Sequence, residues 1–110
     1  MTDDAAIGKV IQGIRQELGM SQLRLCELLR DRGFHWYQQT ITRIESGARP
    51  LKAVEMFALA DALGVGVDAF RTRDFRTAAL KARHAALMNV LRETSALKNQ
   101  IEQELEGVND

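Results

Sequence analysis

The sequence predicts an all-α protein, a five-helix domain followed by one long helix, and three observations carry that expectation. Apolar residues recur at spacings of three and four from Ile7 to Phe70. Aromatic residues are only 5% of the 110 and Pro50 is the single proline, a composition poor in what strands prefer. From Thr77 to Glu106 there is neither Gly nor Pro, and Ala, Leu, Arg, Lys, Glu and Gln dominate. Such a stretch favours one continuous helix, about 45 Å long at roughly 1.5 Å per residue.

Taken in order, Ile7, Val10, Ile11, Ile14 and Leu18 form one stripe of an amphipathic helix that Gly19 ends. Gly13 lies within it, off the stripe, at a cost of about 1 kcal/mol against Ala and with no reason visible in the sequence. Ser21 is placed to cap a second helix, with Leu25, Cys26 and Leu29 inward and a close near Gly33. Ile41 and Ile44 are the inward points of a short third helix ending at Gly47. Pro50 favours a restart, and Ala53, Met56, Phe57, Ala60 and Leu63 are expected to line the buried face of a fourth helix stopped by Gly64. Val65, Val67 and Phe70 make a short fifth element over the core. The organisation read from this is a domain over 1–70, a hinge over 71–76 (RTRDFR) and a helix over 77–110.

The formal charge is balanced, 15 basic against 15 acidic residues, so no general polycation signal for nucleic acid is present. The distribution is uneven. Arg24, Arg30, Arg32, Arg43, Arg49 and Lys52 outnumber Glu27, Asp31 and Glu45 between Met20 and Lys52, whereas Glu102, Glu104, Glu106 and Asp110 have no base beside them at the end. Cys26 is the only cysteine, on an apolar helix face, and reads as core in a reducing compartment. The opening MTDDAA lacks the basic start and apolar stretch of a signal peptide, and no run spans a bilayer, so a cytoplasmic protein without membrane contact is expected. His35 and His84 have no ligand-pair context and there is no Gly-rich phosphate loop. No catalytic residue, metal or cofactor is therefore expected, and the protein is not expected to be an enzyme.

A capped helix, a turn and a short helix with inward Ile residues make the helix-turn-helix arrangement, whose second helix can enter the major groove. Residues 7–70 resemble the Cro/repressor-type (XRE-like) helix-turn-helix family of phage and bacterial transcription regulators, through IGKVIQGIRQELGMSQ, LCELL, QQTITRIESGARP and MFALADALGV in that order. No single piece is specific; the ordered set is. The passage RDRGFHWYQQ is about five residues longer than the usual turn and is similar to a long-turn subgroup seen in actinobacteria and their phages. Phe34 and Trp36 are read as anchors of that turn rather than as base-stacking groups.

The resemblance implies a phosphate contact at Gln22 and base reading at Gln38 and Gln39, within a recognition segment over 37–46 that begins at Tyr37. A Gln amide presents a donor and an acceptor together and can pair with adenine or donate to guanine. Thr40 and Thr42 suit phosphate or a thymine methyl, Arg43 shares the face of Gln39, and Arg49 is a candidate backbone clamp. In this family the acid matching Glu45 makes an internal contact, for which Arg15 and Lys52 are both candidates. Along the last helix, Leu87, Val90, Leu91, Thr94, Leu97, Ile101, Leu105 and Val108 form a stripe similar to a short coiled-coil seam, weakened by Thr94 and by Lys98 at its margin. Two readings follow. The first is a dimeric, nucleoid-associated repressor that binds double-stranded DNA at an inverted repeat and self-associates through the stripe. The alternative is an antitoxin-like module that holds a protein partner with the C-terminal helix and autoregulates through the same domain. Folding back of this helix onto the domain is the competing structural expectation.

Overall fold

The computed structural model describes residues 4–71 and 74–108. Within them lie helices α1 (Asp4–Glu17), α2 (Gln22–Arg30), α3 (Gln38–Ser46) and α4 (Ala53–Leu63), a 3-10 turn (Val67–Arg71), and α5 (Phe75–Val108). The fold is all-α, and the described residues contain no strand. Residues 72 and 73 of the expected hinge lie outside the described residues, as do residues 1–3 and 109–110 at the ends of the expected segments.

Local chemistry accounts for the helix ends. The Ser21 hydroxyl accepts the Arg24 amide at 3.0 Å and starts α2. The Glu55 carboxylate accepts the Lys52 amide at 2.8 Å and starts α4. Asp74 starts α5 by accepting the Thr77 amide at 3.1 Å and the Thr77 hydroxyl at 2.6 Å, and these two bonds hold its carboxyl below the usual range. The helix therefore begins at Phe75, two residues ahead of the Thr77 start read from the sequence.

Ile11, Ile14, Leu25, Leu29, Ile41, Ile44, Leu59 and Phe70 are almost fully buried and form the centre of the core. Each such side chain contributes about 1.5–3 kcal/mol relative to exposure. Helix α1 is the hub, packing on α3, on the 3-10 turn and on α5, while α2 packs on α3 and α4. The close contact with α3 depends on two glycines. A Cβ on Gly8 would overlap the Ile44 carbonyl oxygen, and Gly47, at φ +83°, brings its α-carbon against Ala5.

Two expectations change here. The buried side of α4 comprises Glu55, Ala58, Leu59, Ala60, Ala62 and Leu63, whereas Ala53 and Phe57, expected inward, are exposed. Apolar residues surround α4 on nearly every side, so spacing alone does not select its inner face. Gly13 also acquires its reason: a Cβ there would sit 2.6 Å from the Phe75 ring. The missing side chain makes room for the first turn of α5, where Ala79 and Ala82 are buried too. Arg76 lies 3.8 Å from the Glu17 carboxylate and Arg83 donates to the Glu17 carbonyl, so α5 is also tied to the C-terminal end of α1. Beyond Ala82 every described residue of α5 is exposed, and the molecule measures 67 × 28 × 22 Å as a result.

Candidate nucleic-acid interface

Helix α3 separates its side chains cleanly. Ile41, Ile44 and Glu45 are buried, while Gln38, Gln39, Thr42 and Arg43 are exposed along the opposite side and Thr40 is half-buried. Tyr37, at the N-terminal boundary of α3, is 80% exposed. Its ring stands beside the polar face of α3.

What fixes α3 against the rest of the domain is a charge pair in the core. Arg15 from α1 grips Glu45 with two bonds, Nε to Oε2 at 2.7 Å and a terminal nitrogen to Oε1 at 3.0 Å. The remaining terminal nitrogen of Arg15 donates to the Met20 carbonyl at 2.8 Å, which ties the α1–α2 turn into the same unit. Of the two candidates for Glu45, Arg15 makes the contact. Lys52 instead offers its backbone amide to Glu55.

Gln22 extends this network to the surface. Its Nε2 donates to Glu45 Oε1 at 2.9 Å, and its own Oε1 accepts from Gln38 Nε2 at 3.1 Å. The Thr42 hydroxyl lies 3.3 Å from the same Gln22 oxygen and 3.2 Å from the Gln38 backbone carbonyl; having one proton, it donates to one of them at a time. The Gln38 amide is thus turned by a chain of contacts that begins in the core. Its second N–H and its side-chain oxygen Oε1, distinct from the backbone carbonyl that Thr42 meets, have no partner among the described residues.

The long turn before α3 is held from the other side. Trp36 packs edge-on against Phe34 with ring centroids 5.5 Å apart, so the two aromatics anchor the turn as their sequence context suggested. The Arg49 guanidinium lies 4.9 Å from the Trp36 ring centroid and pairs with Glu55 at 2.9 Å. Burial alone would raise the Glu55 pKa, but the Arg49 and Lys52 bonds, with the charges of both residues, outweigh it and hold the carboxyl below its ordinary value. Arg49 therefore spends part of its charge inside the protein. This link between the turn and α4 was not read from the sequence; Glu55 lies three residues after Lys52 as a helix-starting acid, and that spacing was its only visible signal.

Gln22, Gln38 and Thr42 are brought together at one end of α3, with Tyr37, Gln39 and Arg43 exposed on the same short segment. Arg49 stands apart from this group, against Trp36. Among the described residues no group of His, Cys, Asp and Glu could hold a metal ion, and burial pushes the Cys26 thiol up, as in a side chain that is part of the core. No helix of the described residues is long and apolar enough to cross a membrane.

A capped helix, an anchored turn, and a second helix whose inward Ile residues leave a row of amide, hydroxyl and guanidinium groups outside define a helix-turn-helix DNA-binding domain. The family model for Helix-turn-helix matches residues 11–70, more than half of the chain. The protein belongs to that family, in its Cro/C1-type, XRE form, and is a DNA-binding transcription regulator of that type. Neither the comparison with curated proteins nor that with solved structures gave a match.

Proposed function

We propose that the protein is a dimeric repressor that occupies an inverted repeat, with α3 of each copy in the major groove. The observation that carries this reading is the orientation of Gln38. A side-chain amide anchored through Gln22 to a buried ion pair, with one donor and one acceptor left facing out, matches the paired N6 and N7 positions of adenine. Gln39 and Arg43 extend the reading surface, and Tyr37, Thr40 and Thr42 border it with groups that suit phosphate or a thymine methyl. Gln22 contacts phosphate through the edge it keeps exposed. Arg49 joins this set through the donors that Glu55 leaves over, and with its charge partly balanced it adds less to salt dependence than Arg43 does.

Self-association is supported by the exposed apolar stripe on α5, where Leu87, Leu97, Ile101 and Leu105 are 57%, 57%, 47% and 58% exposed. Two linked readers cover two half-sites, with the second contact effectively intramolecular. The repressor acts in the cytoplasm, on the nucleoid.

The test is selection of bound sequences from random duplexes, followed by Gln38→Ala and Gln39→Ala on the site recovered. Each substitution is expected to lose about 1–3 kcal/mol on that site and little on unrelated DNA. Equal losses on both kinds of DNA would remove base reading from these residues.

A further inference from the structure

Resting on the reading of α5 as the dimer element, we infer that two copies of α5 pair antiparallel, with the two-fold axis near Ala96. Two independent features of the helix point to this arrangement.

The first is its charge. From Phe75 to Arg92 the helix carries Arg76, Lys81, Arg83 and Arg92 and no acid, whereas from Glu93 to Val108 it carries Glu93, Glu102, Glu104 and Glu106 against Lys98 alone. A single helix favours the reverse order, acids at its N-terminal end and bases at its C-terminal end. The pattern therefore opposes the stability of an isolated helix and becomes favourable between two chains running in opposite directions. A parallel pair would instead bring the Glu102, Glu104 and Glu106 groups of both copies together.

The second is the seam. Leu87, Leu91, Thr94, Lys98, Ile101, Leu105 and Val108 follow alternating steps of four and three, with Val90 and Leu97 flanking that line on one side, so Thr94 and Lys98 fall on its centre. With the axis near Ala96, Leu87 faces Leu105, Leu91 faces Ile101, and Thr94 faces Lys98. Apolar layers meet apolar layers and the two polar positions share one layer. In a parallel pair Lys98 faces Lys98, like charge against like charge.

In the antiparallel register Val108 of one copy lies opposite His84 of the other, just beyond Ala82, the last residue buried against the domain. The two Ala82 positions then stand roughly 40 Å apart along the rod, from about 1.5 Å of rise per residue. That separation is of the order of the 34–36 Å between successive major-groove half-sites on one face of DNA.

Spin labels on the full chain, at Ser95→Cys in one variant and Gly107→Cys in another, distinguish the orientations. Both positions are exposed, and the buried Cys26 of the unmodified protein serves as the labelling control. The antiparallel pair is expected to give a short distance, under about 20 Å, at position 95 and roughly 35 Å at position 107, whereas a parallel pair gives short distances at both. In parallel, the triple variant Glu102→Gln, Glu104→Gln, Glu106→Gln is expected to dimerise roughly tenfold more weakly at low salt, with the difference shrinking as salt rises. Circular dichroism confirms that the variants remain helical. Short distances at both positions, or tighter dimerisation of the triple variant, overturn the antiparallel arrangement while leaving the dimer in place. An unmodified chain that sediments as a monomer at tens of micromolar, a range in which about 7 kcal/mol of association suffices, overturns self-association through α5 and this inference with it.

Discussion

Helix α3 and the distal part of α5 are both amphipathic, and both leave one face to the solvent, yet they do so in opposite senses. In α3 the apolar side is covered by α1 and α2, and what remains outside is a polar row joined to the core through Gln22, Glu45 and Arg15. Beyond Ala82, α5 leaves both its charged and its apolar sides outside, and the helix is held by its own backbone bonds and by packing at its first two turns. A covered helix with a polar remainder can meet a hydrated surface such as DNA without losing its fold. An uncovered apolar stripe is satisfied only by another apolar surface. On the proposed reading, the difference suits the two helices to two kinds of contact, one with nucleic acid and one with protein.

The contrast is most directly broken at Glu45. Removing its carboxylate by Glu45→Ala leaves Arg15 buried and unpaired, and the expected loss is about 3–5 kcal/mol of unfolding free energy, measured by urea denaturation. A loss below about 1 kcal/mol, the range of exposed pairs, would mean that α3 is not anchored from within. A smaller effect is expected where the two regions meet. Gly13→Ala should gain about 1 kcal/mol from helix propensity alone, yet the new methyl falls on the Phe75 ring and should cost about 1–3 kcal/mol in displaced packing. A lowered melting temperature, reversed when Phe75 is also replaced by Ala, would show that this glycine exists for α5; a raised one would detach α5 from α1.

The smallest effect concerns acid. Glu55 is held below its ordinary carboxylate value in the folded protein, so its contribution is fully present above the unfolded value of about 4.3 and disappears as pH falls through the folded one. Glu55→Gln should therefore flatten the acid side of the stability profile while leaving its neutral side parallel to that of the unmodified protein. Denaturation series between neutral and acid pH measure this. Unchanged acid dependence would place the acid-sensitive group elsewhere.

The sequence made the short helices legible because their punctuation is local: Ser21 at the start of α2, Gly47 and Gly64 in left-handed geometry at the ends of α3 and α4. The inner face of α4 was not legible, because a helix apolar on nearly all sides carries no periodic preference. Gly13 looked like a flaw because its partner, Phe75, lies far along the chain. At the candidate interface the residue types of α3 were readable, and so was an internal role for Glu45. The path from Glu45 through Gln22 to Gln38 was not, since each amide in it looks like an ordinary solvated side chain until α2 and α3 are assembled.

That path bears on how the recognition face can be rewritten. On the proposed reading, Gln39 and Arg43 are independent letters, each replaceable without disturbing its neighbours. Gln38 is spelled jointly with Gln22, whose other hand holds Glu45. A new specificity at position 38 therefore calls for a matched change at position 22, and one that still satisfies a buried carboxylate. Libraries that vary α3 alone would explore only part of the sequences this domain can learn to read.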